Sequence, residues 1–313
     1  MRNKKILSVP AACFWAVIGA CLLGIGIGSF RDLEIGLAVA NKTQLGTWFA
    51  TFSPALAYAL LPAGGACLYV GLRAKSENCR ALAWMLRGFS WFMAVYFSNA
   101  YFGKAVRPMF GYTPGETSAL LCAASWLLWA ALYGCVSFAI VPLLDDSNPD
   151  RLIAVGAALI MASIAADAVM QWLKQVGSRP RPKYLLTLDD PASAFRNWWQ
   201  MIPYLAGTND SYQSWPSGHM SIVGVLFALP VLTDCMKIRS DLKPRVNMAA
   251  FCFACVFMLL CGYNRMHMTN HFLSDVCFGT LHTFLITAGI CTVFTSALPE
   301  SEKSDEEMFV PHH

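Results

Sequence analysis

Long apolar stretches alternate with short polar segments along almost the whole chain. Runs able to cross a bilayer recur at 8–30, 48–72, 82–103, 118–142, 152–173, 220–236, 246–263 and 274–297. A membrane-crossing helix needs about 20 such residues. The backbone N–H and C=O groups of a segment in lipid must form their hydrogen bonds within a helix or a closed barrel. The sequence does not show the alternating pattern of barrel strands. The pattern predicts an all-α fold, a polytopic membrane helical bundle with about eight transmembrane helices.

Two features leave the number of spans open between six and eight. The sixth and seventh runs are shorter than a typical span, and the fifth carries Asp167. The overall composition agrees with a membrane protein, because 56% of the 313 residues are hydrophobic and only 13% are charged. Such a chain is too apolar for an ordinary soluble domain.

Basic residues orient the predicted bundle. They cluster before the first run, after the second and after the sixth, in the segments 2–5, 73–80 and 237–245. Short loops rich in Lys and Arg stay on the cytoplasmic side. With an even number of spans both termini are then cytoplasmic, and the polar segments 174–219 and 264–275 face the outer side. Short loops and the lack of a further soluble domain favour a bacterial inner (plasma) membrane.

No internal repeat divides the sequence, which predicts a single membrane domain over 1–313 with a disordered acidic tail at 299–313. The N-terminal helices within 1–150 carry no motif. The first apolar run is too long for the core of a signal peptide and indicates an uncleaved anchor. The 12 cysteines lie mainly in apolar runs and indicate core residues. No basic run is interleaved with aromatic residues, so nucleic acid is not an expected partner.

Three polar clusters interrupt the apolar C-terminal half. The first contains Lys174 and Arg181, separated by Gly177 and Pro180. Glycine and proline disfavour an unbroken helix between the two cations, so we expect a helix end followed by an extended segment. The guanidinium group of arginine can bind two phosphate oxygens at once, and the ammonium group of lysine provides a compact charge. Taken alone, this cluster also fits basic side chains at a membrane edge.

The second cluster is Pro216-Ser217-Gly218-His219, directly before the sixth apolar run. Ser217 offers a hydroxyl and Gly218 an unshielded backbone N–H at the start of a predicted helix, where anions are favoured. His219 would stand at the same place and could donate a proton. Such a tetrapeptide alone is a weak signal, because turns ahead of helices often look alike.

The third cluster contains Asn264, Arg265, His271 and Asp275. His271 and Asp275 are four positions apart, so they would be neighbours on one helical face if the last helix begins near residue 270. Asp275 would then accept a hydrogen bond from one imidazole nitrogen, fixing the tautomer of His271 for attack by the other. Arg265 adds a third cation.

In this order the clusters resemble the signature K-x6-RP, PSGH and SR-x5-H-x3-D of the type-2 phosphatidate phosphatase and vanadium haloperoxidase superfamily. Arg181 fits the register, because a shift to Arg179 would place Trp172 where the signature has lysine. The resemblance covers a catalytic core at 155–297 and implies an integral-membrane lipid-phosphate phosphatase. Asn264 replaces the usual serine, from which we expect altered phosphate contacts.

Residue chemistry and resemblance together predict a mechanism. Lys174, Arg181, Ser217, Gly218 and Arg265 would bind the phosphate of a lipid phosphate or diphosphate. His271, oriented by Asp275, would attack phosphorus to form a phosphohistidine, and His219 would protonate the leaving group. Neither a metal nor another cofactor is expected, and the partners are the substrate and membrane lipids.

Other interpretations stay open at this point. His267, His271 and Asp275 recur every four residues and could form a metal stripe, although zinc sites usually have three or four firm ligands. The acidic segment 145–150 more simply forms a solvated turn than a magnesium diphosphate site. An acceptor other than water would make the protein a phosphotransferase. A catalytically lapsed lipid-binding or transport protein would keep the same phosphate-binding residues.

Overall fold

The structure, a computed structural model, describes residues 5–109, 119–200 and 210–296, without the side chains of 101–109. The predicted disordered tail lies outside these ranges. The only strands among the described residues form a short antiparallel hairpin, β1 (Lys5–Ile6) and β2 (Val9–Pro10). Almost everything else is helical, which confirms the predicted all-α fold class.

Of the helices in the described part of the chain, eight are long. They are α1 (Ala11–Ala38), α2 (Gln44–Tyr58), α3 (Leu60–Lys75), α4 (Arg80–Met109), α5 (Ala119–Ile140), α6 (Pro149–Val176), α11 (Lys243–His267) and α12 (Leu273–Ser296). Four are short, namely α7 (Pro182–Leu185), α8 (Pro191–Ala194), α9 (Gly218–Val223) and α10 (Leu229–Thr233). Single 3₁₀ segments lie at Glu77–Cys79, Val141–Leu143, Asp210–Tyr212 and Gly224–Ala228.

Within the described residues, six helical segments are long and apolar enough to cross a membrane, so the predicted count of about eight is approximate. In one of them α2 and α3 follow each other as Gln44–Lys75. The predicted third run corresponds to helix α4, which is not among the six segments that are apolar enough to cross a membrane. The predicted sixth run is the shorter Gly218–Thr233, divided among α9, a 3₁₀ segment and α10. Sixteen helical residues would span about 24 Å, less than the bilayer core of about 30 Å.

Local sequence signals explain where the helices begin and how closely they pack. Thr43 caps α2 by accepting the N–H of Gly46 at 3.0 Å, and Asn148 caps α6 ahead of a proline in its first position. Gly64 of α3 faces Gly156 of α6, and a Cβ on Gly156 would lie 2.6 Å from the Gly64 carbonyl oxygen. Small residues thus let these two helices approach backbone to backbone.

Helix α9 lies at the centre of the bundle. It contacts α2, α6, α11 and α12, and the segment 220–228 that contains most of it is buried throughout. Helix α1 packs along α12, so the helices before residue 150 join the same bundle as those that follow. The start of α9 is therefore the place where side chains from both halves of the chain can meet.

Charged residues lie at both ends of α6, but in different surroundings. At its start, Lys75 pairs with Asp150 at 2.5 Å, and Lys237 pairs with Asp146 at 3.3 Å. These pairs gather two of the basic segments at one end of the bundle. Lys174, in the last turn of α6, lies at the other end, about 36 Å away along a helix with a rise of about 1.5 Å per residue.

Candidate active site

A cavity of about 340 Å³ lies at the end of α6 that carries Lys174. Its walls come from α2, α6, α9, α11 and the connections that follow α6 and α11. Most of the predicted site residues line it, namely Lys174, Arg181, Gly218, His219, Arg265 and His271. Asp275 and Ser217, the other two, are fully buried behind the wall. Predicted site residues up to 97 positions apart in sequence thus share one cavity.

The first cluster has the local structure that the sequence predicts. Helix α6 ends at Val176, and Arg181 has extended backbone angles (φ −80°, ψ 150°). The Lys174 ammonium donates to the Gln213 carbonyl at 2.8 Å. Arg181 donates to the Asn270 side-chain oxygen at 3.2 Å and pairs with Asp210 at 2.7 Å. Both cations therefore reach the cavity from a helix end and an extended segment.

Asp210 is a carboxylate that sequence analysis missed. It lines the cavity and pairs with both Arg181 and Lys183. Partial burial would raise the pKa of Asp210, but Arg181 and then Lys183 outweigh this effect and hold the pKa below its ordinary value. An ionised Asp210 therefore neutralises part of the positive charge of the cavity. Its position in a polar loop gave no signal that could separate it from a solvated residue.

Arg179, two positions before Arg181, points away from the cavity. It is buried and pairs with Asp275 at 2.6 Å and with Asp32 of α1 at 2.9 Å. It also donates to the Ser274 hydroxyl at 2.9 Å. The guanidinium is therefore committed to a buried ionic cluster, whereas Arg181 lines the cavity in agreement with the register chosen from the sequence.

Asp32 was also missed by the sequence analysis. It is 1% exposed and accepts hydrogen bonds from both the backbone N–H and the hydroxyl of Ser274. Asp32 lies just beyond the first apolar run, in the charged segment Arg31-Asp32-Leu33-Glu34, so the sequence does not distinguish it from a solvated residue. A buried carboxylate needs a partner. The partner could not be identified from the sequence, since Arg179 lies 147 positions further along the chain.

The second cluster forms the start of α9. Gly218 lines the cavity, whereas the Ser217 hydroxyl is buried with no hydrogen-bond partner among the described residues. The Ser217 N–H donates to the Asp275 carbonyl at 3.1 Å. A Cβ on Gly279 of α12 would lie 2.7 Å from the Ser217 carbonyl oxygen, so only glycine permits this close approach. The contact holds the second cluster against the third.

His219 faces the cavity and one side of α2. Its Nε2 lies 2.9 Å from the Ala50 carbonyl oxygen. Enclosure in the protein lowers the pKa of His219 well below 6.5, the cation Arg265 lowers the pKa further, and the Ala50 carbonyl acts in the opposite direction. The ring is therefore neutral at pH 7.

His271 is buried apart from its contact with the cavity. Its Nδ1 lies 2.6 Å from the Ser214 carbonyl oxygen. A carbonyl can only accept, so Nδ1 carries the proton and Nε2 has a free lone pair. Burial, followed by Arg181 and Arg265, lowers the pKa of His271 well below 6.5. The ring is therefore neutral at pH 7, in a tautomer suited to attack through Nε2.

The predicted hydrogen bond from His271 to Asp275 is wrong. Helix α12 begins at Leu273, so His271 precedes it and the two side chains do not share a helical face. Asp275 instead accepts the backbone N–H of Phe272 at 2.8 Å and the Ser214 hydroxyl at 2.6 Å. An acidic side chain three residues into a helix commonly reaches back to the N-cap in this way. The hydrogen-bond connection between Asp275 and His271 therefore runs through Ser214.

Asn264 also differs from expectation. Its side-chain N–H donates to the Gly46 carbonyl of α2 at 3.1 Å, and Asn264 is not among the residues that line the cavity. The expected altered phosphate contact is therefore not supported. The longer amide side chain reaches a neighbouring helix instead.

Backbone hydrogen bonds join the three clusters. The Arg179 N–H donates to Tyr212 at 2.9 Å, and its carbonyl accepts from Ser214 at 3.0 Å. The Lys183 N–H donates to the Thr269 carbonyl at 2.8 Å. The segments after α6, before α9 and after α11 are thus held together by main-chain contacts, which do not depend on side-chain identity.

The metal stripe considered from the sequence is not assembled. His267 does not line the cavity, and its Nδ1 lies 3.0 Å from the Val39 carbonyl oxygen. Asp275 is occupied by Arg179 and Ser214. Among residues 5–109, 119–200 and 210–296, no group of three or more His, Cys, Asp or Glu side chains is arranged to hold a metal ion.

Comparison with known proteins agrees with the motifs. A sequence model of the PAP2 superfamily matches residues 153–298, which include all three clusters. No curated protein and no solved structure matches the chain. The match confirms the predicted family relationship over this segment and supports phosphatase activity on phosphate esters. Together with the six apolar helices, it supports a membrane phosphoric ester hydrolase.

Proposed function

We propose that the protein hydrolyses a lipid phosphate or diphosphate through a phosphohistidine intermediate, without a metal. The observation that carries the proposal is the meeting of His219 and His271 in one cavity with three cations, Lys174, Arg181 and Arg265. The cations supply electrostatic stabilisation for the charge on a transferring phosphoryl group, which is commonly the largest single contribution to such catalysis. The two histidines supply the nucleophile and the acid.

His271 is the nucleophile in this proposal. The hydrogen bond from Nδ1 to Ser214 leaves Nε2 free to attack phosphorus. As the P–Nε2 bond forms, the ring becomes positively charged, and the Ser214 carbonyl stabilises that charge. Asp275 contributes through the Ser214 hydroxyl and through its own negative charge. These residues therefore both orient the ring and stabilise the charge that it gains.

His219 is the general acid. It must be protonated when the leaving oxygen departs, although burial and Arg265 lower its pKa. A bound phosphate adds up to two negative charges beside the ring and offsets the nearby cations. Substrate binding thus favours the imidazolium that the reaction requires.

An amphiphilic substrate suits the position of the cavity at one end of a bundle with apolar outer faces. Exposed large hydrophobic side chains on those faces include Leu23, Phe30, Met85, Leu127, Phe138, Leu259 and Val293. A lipid could place its phosphate in the cavity while its chains stay in the bilayer. Soluble phosphates lack this second contact, so we expect a preference for lipid esters.

The orientation that we propose places the cavity on the outer face of a bacterial inner membrane and both termini in the cytoplasm. It is supported by the ion pairs of Lys75 and Lys237 at the opposite end of α6. Protease added to right-side-out membrane vesicles should leave a tag at the C-terminus intact, and added to inverted vesicles should remove it. The reverse pattern would contradict the orientation.

Release of inorganic phosphate in detergent is the direct test of the activity. The purified protein should release phosphate from at least one member of a panel containing phosphatidate, phosphatidylglycerol phosphate, undecaprenyl diphosphate and a lipid A phosphate. Excess EDTA should leave the rate unchanged, and vanadate should compete with substrate as a mimic of the transition state.

Three outcomes would argue against the proposal. Strict dependence on magnesium would favour metal catalysis. Phosphate transfer to an added lipid acceptor without release to water would indicate a phosphotransferase. Binding of lipid phosphates with no turnover would indicate a catalytically lapsed binding protein.

A further inference from the structure

Helix α2 contains a proline in its interior, close to the cavity. Pro54 is buried, and it has no backbone N–H to donate. The carbonyl four positions earlier therefore receives no helical hydrogen bond from it. That carbonyl belongs to Ala50, which lines the cavity. The proline ring also crowds the carbonyl at this position, which favours tilting of the carbonyl away from the helix axis.

The Ala50 carbonyl accepts a hydrogen bond from His219 instead. The distance from Nε2 to the carbonyl oxygen is 2.9 Å. Since a carbonyl only accepts, Nε2 must carry a proton in both charge states of the ring. The proton that His219 exchanges with a substrate therefore belongs to Nδ1.

We infer that Pro54 and Ala50 are positioning residues for His219. Pro54 leaves the Ala50 carbonyl without its helical hydrogen bond, and that carbonyl fixes the orientation and tautomer of the imidazole. The inference rests on the proposed function, in which His219 is the general acid. It also gives α2 a role in catalysis, although no motif lies in residues 1–150. The arrangement does for His219 what the Ser214 carbonyl does for His271.

The reaction steps balance with this assignment. When the bond between phosphorus and the leaving oxygen breaks, that oxygen takes the Nδ1 proton, and His219 becomes the neutral tautomer protonated at Nε2. Water then attacks phosphorus, the bond between phosphorus and Nε2 of His271 breaks, and the water gives one proton to Nδ1 of His219, which restores the imidazolium and releases phosphate. The hydrogen bond to Ala50 persists in both steps, so the ring changes charge without rotating.

The substitution Pro54→Ala tests the inference. Alanine supplies an N–H that pairs with the Ala50 carbonyl within α2, in competition with His219. Turnover of an alkyl phosphate lipid such as phosphatidate should fall by about 10- to 100-fold, within the factor of about 10² to 10⁴ that general acid catalysis contributes. Turnover of 4-nitrophenyl phosphate should change by less than about 3-fold, because a good leaving group needs little protonation.

The pH profile provides a second signature. Loss of the Ala50 acceptor removes a contact that favours the charged ring, so the pKa of His219 should fall. The alkaline limb of kcat for the alkyl phosphate should therefore move to lower pH in Pro54→Ala. In a His219→Ala background, Pro54→Ala should have no further effect on either substrate.

Pro62→Ala is the matched control. Pro62 is buried in the first turn of α3, where a missing N–H has little cost, and it does not line the cavity. This variant should keep the activity and the pH profile of the wild type. An equal loss in both proline variants would assign the effect to the bend between α2 and α3 and overturn the inference.

A readout that needs no turnover separates this inference from the proposed function. Imidazole ¹⁵N shifts of His219, assigned with His219→Ala, report which nitrogen is protonated. The neutral ring of the wild type should be protonated at Nε2, and Pro54→Ala should lose this preference. A wild-type ring protonated at Nδ1, or an unchanged tautomer in Pro54→Ala, would overturn the inference even in an active enzyme. The expected tautomers without phosphate release would overturn the proposed function alone.

Discussion

His271→Ala is expected to abolish phosphate release while the protein remains folded. The substitution removes the only group proposed to bond to phosphorus, and loss of a nucleophile in a well-studied triad lowers kcat by about 10⁶. We expect a fall of at least about 10⁴ in kcat on every lipid substrate, with residual turnover from positioning and charge alone. Single-turnover experiments with a ³²P-labelled lipid should show acid-labile label on the wild-type protein and none on the variant.

His267→Ala is the matched control for this experiment. His267 lies four positions earlier, donates a comparable hydrogen bond from Nδ1 to a backbone carbonyl, and does not line the cavity. Its removal should change kcat by less than about 3-fold, since an interaction away from the reacting atoms affects chemistry weakly. If both variants were inactive and EDTA also stopped the wild type, the metal stripe would replace the phosphohistidine.

Arg179→Gln should reduce the free energy of unfolding by about 3–5 kcal/mol, the usual result of removing one partner from a buried ionic cluster. Without the guanidinium, Asp32 and Asp275 remain buried in the same cluster with no cation between them. Equilibrium unfolding in mixed micelles would measure the loss. The added substitution Asp32→Asn should recover part of it, because it removes one of the two uncompensated charges.

Substitutions of two other arginines serve as comparisons for this result. Arg239 pairs with Asp241 at the surface, with its side chain 79% exposed, so Arg239→Gln should cost less than about 1 kcal/mol. Arg181→Gln should leave stability nearly unchanged but lower kcat/KM, because Arg181 lines the cavity. Equal loss of stability in Arg179→Gln and Arg239→Gln would show that the buried cluster is not important for the fold.

The contrast between Arg179 and Arg181 shows how far sequence patterns can resolve a site. Counting positions from Lys174 assigns Arg181 to the cavity, and the structure places it there. The same count gives no function to Arg179, because its partners, Asp32 and Asp275, lie on distant helices. A motif is defined by spacing along the chain, so it can identify Arg181. The role of a buried charge such as Arg179 depends on its neighbours in the folded protein, which the spacing does not give.

His271 and Asp275 illustrate a related difficulty. A spacing of four places two residues on one face only if both lie in the same helix, and α12 begins two residues after His271. Asp275 itself contributes to this boundary by accepting the Phe272 N–H. Helix ends are set by such local hydrogen bonds, which the apolar pattern does not record.

The sequence alone determined the all-α class, the membrane character and the order of three motif clusters, because apolar run length and residue chemistry are local properties. The tertiary structure decided which atoms orient the two histidines. For His219 it is the Ala50 carbonyl, which Pro54 leaves without a helical hydrogen bond, and for His271 it is the Ser214 carbonyl. Both acceptors are backbone atoms, and any residue type carries the same carbonyl. Only the path of the chain in space can therefore reveal them.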